Sequence, residues 1–200
     1  MLIKAKARAR CERCTRPLAH CLCGLIANLP SRTRVLLIQH PDEVKHALNT
    51  ARLVALGLQN AQLLVAETIE NIERYIQQPG YRACVLFPGE QAQELSAYQD
   101  NQQPLLLIVP DGTWRKARKI LHCNPLLATL PRVTLTSGLS SRYRLRKAPD
   151  AQALATVEAV TYALAELEPE LDFSPLLRPF EALIEGQIAA MGTEVYQRNH

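Results

Sequence analysis

Apolar residues along the chain form short uninterrupted runs, and these runs alternate with stretches of helical period. The clearest run covers residues 105–109 and is bounded by Pro104 and Pro110. An apolar run of this length, without polar alternation, is typical of a strand buried on both faces. We therefore predict that it forms the central strand of a parallel sheet. Four further strands are predicted at residues 33–40, 61–66, 82–87 and 132–136.

Helical periodicity follows most of these strands. We predict helices at residues 44–56, 69–76 and 91–98, a basic helix after the central strand, and a long amphipathic helix at 150–167. A last helix is predicted to start with Ser174 as its N-cap and Pro175 in its first turn. Its apolar face comprises Leu176, Leu177, Phe180, Leu183, Ile184 and Ile188. Repeated strand–helix units predict an α/β fold, a mainly parallel sheet with helices on both faces.

Composition and charge narrow the class of protein. A chain of 200 residues suits one domain with a small appendage, and 48% hydrophobic residues suffice for a core. No apolar stretch approaches the ~20 residues that a membrane helix needs, and the basic N-terminus lacks a secretory signal. We therefore expect a cytoplasmic protein without a membrane partner. Basic residues crowd segments 4–16 and 142–147, which indicates either phosphate contacts to nucleic acid or a solvated surface.

Four cysteines lie close together near the N-terminus, in the pattern C-x2-C-x6-C-x-C. Four thiolates match the tetrahedral geometry of a structural zinc site and leave no position open for catalysis. His20 is an alternative ligand in place of one sulfur, and four reduced cysteines in a flexible tail are the other interpretation. Cys84 and Cys123 are predicted to be core residues. The predicted zinc ligands are Cys11, Cys14, Cys21 and Cys23.

Polar and turn residues concentrate where the predicted strands end. H-P-D-E at 40–43 follows the first strand, with N-T-A-R at 49–52, while F-P-G at 87–89 and D-G-T-W at 111–114 end two others. Open α/β sheets bind ligands at the carboxyl ends of their strands. No G-x-G-x-x-G and no G-x4-G-K-[ST] occurs in the sequence, which disfavours the standard dinucleotide and nucleoside triphosphate sites.

These tracts, in this order and spacing, resemble the DTW-domain family of tRNA-uridine aminocarboxypropyltransferases, in particular its bacterial branch. The resemblance runs from Cys11 to about residue 165. It rests on the four cysteines, the tracts above, D-G-T-W-R-K-A-R-K-I at 111–120, S-R-Y-R-L-R-K-A-P at 141–149 and L-A-T-V-E-A at 154–159. One position departs from the D-T-x-W pattern, because Gly112 stands where the family has threonine. Thr113 is the candidate to replace it.

The resemblance implies both a reaction and a topology. The reaction transfers the 3-amino-3-carboxypropyl group of S-adenosylmethionine to N3 of a tRNA uridine, and the bacterial branch implies the variable-loop uridine at position 47. Its products are acp3U and 5'-methylthioadenosine. The topology implied is SPOUT-like with a trefoil knot, in which three strand-end loops wrap S-adenosylmethionine. With the zinc segment at 1–30, residues 31–200 are then the catalytic domain.

Against this chemistry, Asp111 is the candidate base for the weakly acidic N3–H of uridine. The alternatives are that Asp111 caps the following helix or orients its loop. Trp114 is a candidate to stack on the target base or on adenine, or else a core residue. Thr113 completes the predicted catalytic set.

Two further sets of residues follow from the same resemblance. Thr156 and Glu158 are expected to hold the amino group of the methionine arm, and the basic tract to bind tRNA phosphates or the methionine carboxylate. The expected cofactor-binding residues are Leu86, Phe87, Pro88, Gly89, Val109, Pro110, Ser141, Arg144, Thr156 and Glu158. The expected tRNA-binding residues are Arg115, Lys116, Arg118, Lys119, Arg142, Arg146 and Lys147.

Two other functions stay open on sequence alone. One is a SPOUT-type RNA methyltransferase that uses S-adenosylmethionine, and the other is a non-enzymatic RNA-binding protein with a zinc knuckle. SPOUT-type proteins often form dimers across the knot. We expect a monomer, because the N-terminal knuckle and the last helix are available to cover that face.

Overall fold

The computed structural model describes residues 9–99, 102–136, 141 and 154–192. Its strands are β1 (Arg34–Gln39), β2 (Ala61–Val65), β3 (Arg82–Leu86), β4 (Gln93–Glu94), β5 (Leu105–Asp111) and β6 (Arg132–Thr134). Its α-helices are α1 (Ala51–Gly57), α2 (Glu73–Ile76), α3 (Trp114–Cys123), α4 (Pro125–Ala128), α5 (Thr156–Leu167) and α6 (Arg178–Met191). Short 3-10 helices cover Leu18–His20, Cys23–Leu25, Pro41–Glu43, Leu95–Tyr98 and Ser174–Leu177.

The six strands form one parallel sheet in the order β2-β1-β5-β3-β6-β4. Strand β5 pairs with β1 on one side and β3 on the other, and residues 105–109 are all buried. The prediction of a central strand is thus confirmed. Because all the strands are parallel, the carboxyl ends of β1, β3 and β5 meet at one edge of the sheet, where a ligand site is expected.

Successive residues of β1 and β5 point to opposite faces of the sheet, and each face carries its own core. Val35 and Leu37 belong to a core with α1, α5 and α6, while Leu36 and Ile38 belong to a core with α2, α3 and α4. The predicted α/β class, with helices on both faces, is confirmed. Of the apolar residues predicted for the last helix, Leu176, Leu177, Phe180, Leu183 and Ile184 are buried and Ile188 is partly buried.

The helix predicted at 44–56 is wrong in its first half, because α1 begins only at Ala51. Side chains take over the backbone groups of this segment. His40 Nδ1 accepts from the Asp42 N–H at 3.3 Å, and Asn49 Nδ2 donates to the Glu43 carbonyl at 3.2 Å. Such local bonds compete with helical ones, so residues 44–50 form turns instead.

Other element boundaries also differ from the prediction. The helix predicted at 91–98 is wrong, because β4 pairs with β6 and a 3-10 helix then buries Leu95 and Tyr98, whose spacing of three suits that helix. The helix at 69–76 is reduced to α2, the strand at 132–136 to β6, and Ser174 does not cap the last helix. Helix α5 begins at Thr156, and residues 150–153 lie outside the described part. Within the described segments, no helix has the length and apolar character required to cross a membrane.

Candidate active site

Asp111 lies at the edge where the central strands end. It is the last residue of β5 and pairs in register with Gln39, the last residue of β1. The Asp111 carbonyl accepts from the His40 N–H at 3.0 Å, so the chain leaving β1 remains attached to β5. The N-terminus of α5 lies next to it, since the Thr156 hydroxyl donates to Asp111 Oδ1. Three separate parts of the chain therefore converge on one carboxylate.

The Asp111 carboxylate is buried and hydrogen-bonded at both oxygens. Only 7% of the residue is exposed, and Oδ2 accepts from Gln39 Nε2 at 2.7 Å. Burial raises the pKa of this carboxyl above its ordinary value, against the opposing effect of the hydrogen bonds from Gln39 and Thr156. A carboxylate of raised pKa is a stronger base than a solvated one, which suits proton abstraction near neutral pH.

Asp111 is not the cap of the helix that follows it. The N-cap of α3 is Thr113, whose Oγ1 accepts from the Lys116 N–H at 3.4 Å. The structure thus excludes the capping alternative for Asp111 and gives that local role to Thr113. The base and the loop-orienting interpretations remain for Asp111.

An amide pair sets the direction of the donor to Asp111. Gln39 Nε2 donates to Asn49 Oδ1 at 3.0 Å, and Asn49 Nδ2 donates back to Gln39 Oε1 at 3.2 Å. Asn49 Nδ2 also donates to the Glu43 carbonyl, so each amide nitrogen of the pair uses both of its hydrogens. Flipping Gln39 would set its donor against the donor of Asn49. Gln39 was not among the predicted site residues, although a polar residue at the end of an apolar strand is a usable signal.

Charged side chains of the loops after β1 and β2 and of helix α3 form ion pairs near Asp111. His40 is buried; its Nδ1 accepts from a backbone N–H, so its Nε2 carries the proton and donates to Glu67 Oε2 at 2.8 Å. Lys119 Nζ also contacts Glu67 Oε2 at 2.8 Å, and Lys116 Nζ contacts Glu43 Oε1 at 2.8 Å. His40, Glu43 and Glu67 were not among the predicted site residues, because each forms its ion pair with a residue far away in the chain.

These ion pairs involve only some of the basic residues of α3. Lys116 and Lys119, both predicted to bind tRNA, are paired with acids, whereas Arg115 and Arg118 are exposed. Arg118 donates to the Trp114 carbonyl at 3.3 Å. The remaining predicted tRNA-binding residues, Arg142, Arg146 and Lys147, lie outside the described residues, as does Arg144 of the cofactor set.

Trp114 forms an exposed aromatic surface beside Asp111. It is 49% exposed, so the alternative that it is a core residue is wrong. Its ring meets that of Phe87 edge to face, with centroids 5.5 Å apart, and the Arg132 guanidinium lies 5.9 Å from the Phe87 centroid. Phe87 therefore supports one edge of the Trp114 ring, and much of its surface is left available for stacking.

The other predicted cofactor-binding residues lie at the same sheet edge. Val109 and Phe87 are buried, Leu86 and Pro110 half-buried, and Pro88 and Gly89 exposed. Glu158 is completely buried at the start of α5, where its Oε2 accepts from Ser141 Oγ at 2.9 Å and from the Ala155 N–H at 2.7 Å. In this arrangement Glu158 stabilises the N-terminus of α5.

The four N-terminal cysteines form a cluster that fits a metal ion. Their Sγ atoms all lie within 4.8 Å of one another. Cys11 Sγ and Cys23 Sγ are 3.5 Å apart, and Cys14 Sγ and Cys21 Sγ are 3.8 Å apart. Tetrahedral zinc with bonds of about 2.3 Å requires sulfur separations of about 3.8 Å, so the donors fit. The backbone N–H of Cys14, more than any other group, lowers the pKa of the Cys11 thiol to about 6.

The cluster consists of cysteines alone, and His20 is not part of it. Cys84 is fully buried, as predicted, and burial raises the pKa of its thiol to about 12. Cys123 is only partly buried. Neither of these two belongs to the cluster.

A family model described as "DTW domain" matches residues 8–188 of the chain. The chain belongs to the DTW-domain family. Among curated proteins, the chain is similar to tRNA-uridine aminocarboxypropyltransferase 2 of Drosophila melanogaster, with 30% identity over 90% of this chain and 76% of that protein. It is 32% identical to the Macaca fascicularis protein of the same name, over 92% of this chain and 65% of that protein. The Arabidopsis thaliana tRNA-uridine aminocarboxypropyltransferase A is 29% identical, over 82% of this chain and 74% of that protein. No solved structure matches the chain significantly.

Gly112 occupies the threonine position of the D-T-x-W pattern, and the backbone conformation at this position explains why the chain has glycine there. Its φ is +153°, and an added Cβ would lie 3.0 Å from Lys116 Cβ and 3.6 Å from His40 Cβ. A side chain here would be strained and would also push against the ends of β1 and α3. The threonine typical of the family therefore does not fit this conformation.

Replacing Gly112 by threonine should lower the free energy of unfolding by about 2–4 kcal/mol, through strain together with crowding. Gly80→Thr is the matched control, because Gly80 has φ +82° but open space around its Cβ. It should cost only about 1–2 kcal/mol. Urea unfolding of both variants measures the difference, and equal losses would show that crowding at Gly112 is absent.

Proposed function

We propose that this DTW-domain protein transfers the 3-amino-3-carboxypropyl group of S-adenosylmethionine to N3 of a tRNA uridine, giving acp3U. Membership of the family makes the chain a transferase, and the names of its relatives support a tRNA uridine as acceptor. The observation that carries the proposal is Asp111, a buried carboxylate of raised pKa at the sheet edge next to the exposed Trp114. The variable-loop uridine at position 47 is part of the proposal.

The reaction is a substitution at the carbon that joins the methionine arm to sulfur. S-adenosylmethionine, when bound, supplies the sulfonium: the N3–C bond forms, the C–S bond breaks, and its electron pair stays on sulfur as 5'-methylthioadenosine leaves. Asp111 accepts the N3 proton, Gln39 and Thr156 hold its carboxylate in place, and Trp114 stacks on the base. The loops at 86–90 and 108–114 hold the donor, with its methyl group directed away from N3.

The other expected contacts belong to the same proposal. Arg115 and Arg118 are exposed and fit tRNA phosphates, while Lys116 and Lys119 each have one ammonium contact taken, by Glu43 and by Glu67. The methionine amino group is a donor, so the Thr156 oxygen can accept from it while the Thr156 hydroxyl still donates to Asp111, and the Glu158 carboxylate is the second proposed acceptor. Arg142, Arg144, Arg146 and Lys147 complete the proposed tRNA and carboxylate contacts.

We also propose a metal site, a domain organisation and an oligomeric state. The four-cysteine cluster binds structural zinc, residues 1–30 form the zinc segment, and residues 31–200 form a catalytic domain of SPOUT-like topology with a trefoil knot. We further propose a cytoplasmic monomer. Light scattering tests the oligomeric state, and a dimer mass would contradict it.

Label transfer tests the reaction directly. Unmodified tRNA is incubated with the protein and with S-adenosylmethionine labelled either in its carboxyl carbon or in its methyl group. The proposal expects carboxyl label in tRNA, at a nucleoside with the mass of acp3U, and release of labelled methylthioadenosine from the methyl-labelled donor. Methyl label in tRNA would identify a methyltransferase instead. Affinity for tRNA without any binding of S-adenosylmethionine would identify a non-enzymatic RNA-binding protein.

Transfer should depend on pH through Asp111. A base must be ionised, so activity is complete above the pKa of Asp111 in the folded protein and falls about tenfold per pH unit below it. Because burial raises the pKa of Asp111, this acidic limb of the pH profile should lie above the ordinary Asp pKa of about 3.9. Thr156→Val removes a donor to the ionised form and should move the limb to higher pH. Profiles of kcat/KM against pH measure it, and a limb moved to lower pH would contradict the assignment.

Trp114→Ala should lower kcat/KM for tRNA about 10- to 100-fold, because one stacked base is worth about 1–3 kcal/mol. The melting temperature should change little, since Trp114 is half-exposed. Trp114→Phe keeps an aromatic face and should retain most of the activity. A large drop in melting temperature with unchanged kinetics would instead assign Trp114 a role in stability.

A further inference from the structure

One side chain of the cysteine knuckle, residues 11–23, reaches out to the loop at 44–50. Arg16 Nη1 donates to the carbonyl of Ala47 at 2.8 Å, and Arg16 Nη2 donates to the carbonyl of Asn49 at 3.0 Å. One planar guanidinium thus holds two carbonyls of a segment that precedes α1. Residues 44–47 are exposed, so this segment has little burial of its own to keep it in place.

The knuckle in turn holds Arg16. The Arg16 carbonyl accepts from the Cys11 N–H at 2.8 Å, and its own N–H is directed at the Cys14 sulfur. Two of the four cluster cysteines therefore flank and anchor Arg16, and ordering of the cluster orders Arg16 with it.

The loop at 44–50 leads directly to the catalytic candidate. Asn49, whose carbonyl Arg16 holds, orients the Gln39 amide through the reciprocal pair, and Gln39 donates to Asp111. A shift of Asn49 would free Gln39 to rotate. Asp111 would then lose one of its two side-chain donors.

We propose that the cysteine knuckle acts as a positioning device for the Asp111 carboxylate, with Arg16 as the residue that connects the two. Arg16 is a positioning residue, because its guanidinium contacts the carbonyls of the loop and not the Asp111 carboxylate. The catalytic consequence rests on the proposed function, whereas the ordering of residues 44–50 and of Asp111 does not.

The experiment compares Arg16→Ala and Arg16→Lys with Arg13→Ala. Arg13 is an exposed arginine of the same knuckle, so its removal changes the charge equally. Hydrogen exchange of residues 44–50 and the titration of Asp111, followed by carboxyl-carbon NMR, are measured in zinc-loaded protein with zinc content as control. Glu43, His46 and Lys116 also lie near Asp111 or its neighbours, and all three variants leave them unchanged.

Arg16→Ala should accelerate exchange in 44–50 at least about tenfold and raise the pKa of Asp111, because a donor to its ionised form is lost. Arg16→Lys keeps the charge but not the pair of hydrogen bonds to two carbonyls, so its exchange rate and its Asp111 pKa should lie between those of Arg16→Ala and the wild type. Arg13→Ala should match the wild type in both measurements. In the transferase assay Arg16→Ala should lower kcat about tenfold without raising KM for tRNA.

Each other outcome has a definite meaning. Unchanged exchange in Arg16→Ala would overturn the proposal whatever the activity. Faster exchange with an unchanged Asp111 titration would show that the loop does not orient the carboxylate, and would overturn it too. Absence of transferase activity in the wild-type protein would refute the proposed function alone, because exchange and titration still report on the connection.

Discussion

Replacing Asp111 by asparagine should lower kcat for aminocarboxypropyl transfer by about 10²- to 10⁴-fold, the usual contribution of a positioned base. Asparagine keeps the shape and can still accept from Thr156, but it cannot take the N3 proton. Its amide nitrogen would also face the donor of Gln39, a mismatch that costs about 1–3 kcal/mol of stability. Single-turnover transfer measures the chemical step. Full activity in this variant would refute the assignment.

The pH dependence of this variant separates a base from an orienting residue. Uridine N3–H is itself a weak acid, so a rising pH supplies the deprotonated base without the help of the enzyme. If Asp111 is the base, the deficit of Asp111→Asn should shrink as pH rises; if it only orients the loop, the deficit should stay constant. Asp42→Asn is the control, since Asp42 is an exposed acid of a neighbouring loop. It should stay within about threefold of the wild type.

Replacing Cys14 by serine should abolish stoichiometric zinc binding and unfold the knuckle. Cys14 is the buried member of the cluster, and structural zinc sites of this kind contribute about 10–16 kcal/mol to the folding of small metal-binding units. The two cores of the sheet are built mainly from residues after 33, so the sheet should remain folded. We expect about one zinc per wild-type chain and close to none in the variant.

Metal analysis and hydrogen exchange of residues 9–26 measure both effects. Cys123→Ser makes the same chemical change outside the cluster and should retain its zinc. Wild-type protein that is purified without metal, yet protects residues 9–26 from exchange, would contradict a structural zinc site.

The features that the sequence predicted best are those set by local pattern. The apolar run at 105–109 needs no knowledge of its neighbours to indicate a doubly buried strand, and the spacing of the four cysteines indicates a metal site directly. Asp111 follows from the first of these, because it is the polar residue that ends the run.

The features that were missed depend on pairing across the chain. Gln39 meets Asp111 only once β1 has been placed beside β5, and His40 meets Glu67 only after β2 has been placed beside β1. The late start of α1 has a similar cause, since Arg16 takes carbonyls that a longer helix would use itself. Periodicity describes one segment at a time and carries none of this information.

The knuckle also packs on the body of the protein through apolar contacts, in a cluster of Leu22, Leu53 and Leu183. Leu183 lies in α6, so this contact joins an early and a late part of the chain. Closing a loop of about 160 residues costs about 4–5 kcal/mol of chain entropy, whereas the cysteines close loops of a dozen residues or fewer. During synthesis on the ribosome the metal cluster can therefore assemble early, but its docking has to wait until α6 has emerged. A nascent chain would thus carry a formed knuckle before it has an ordered active site.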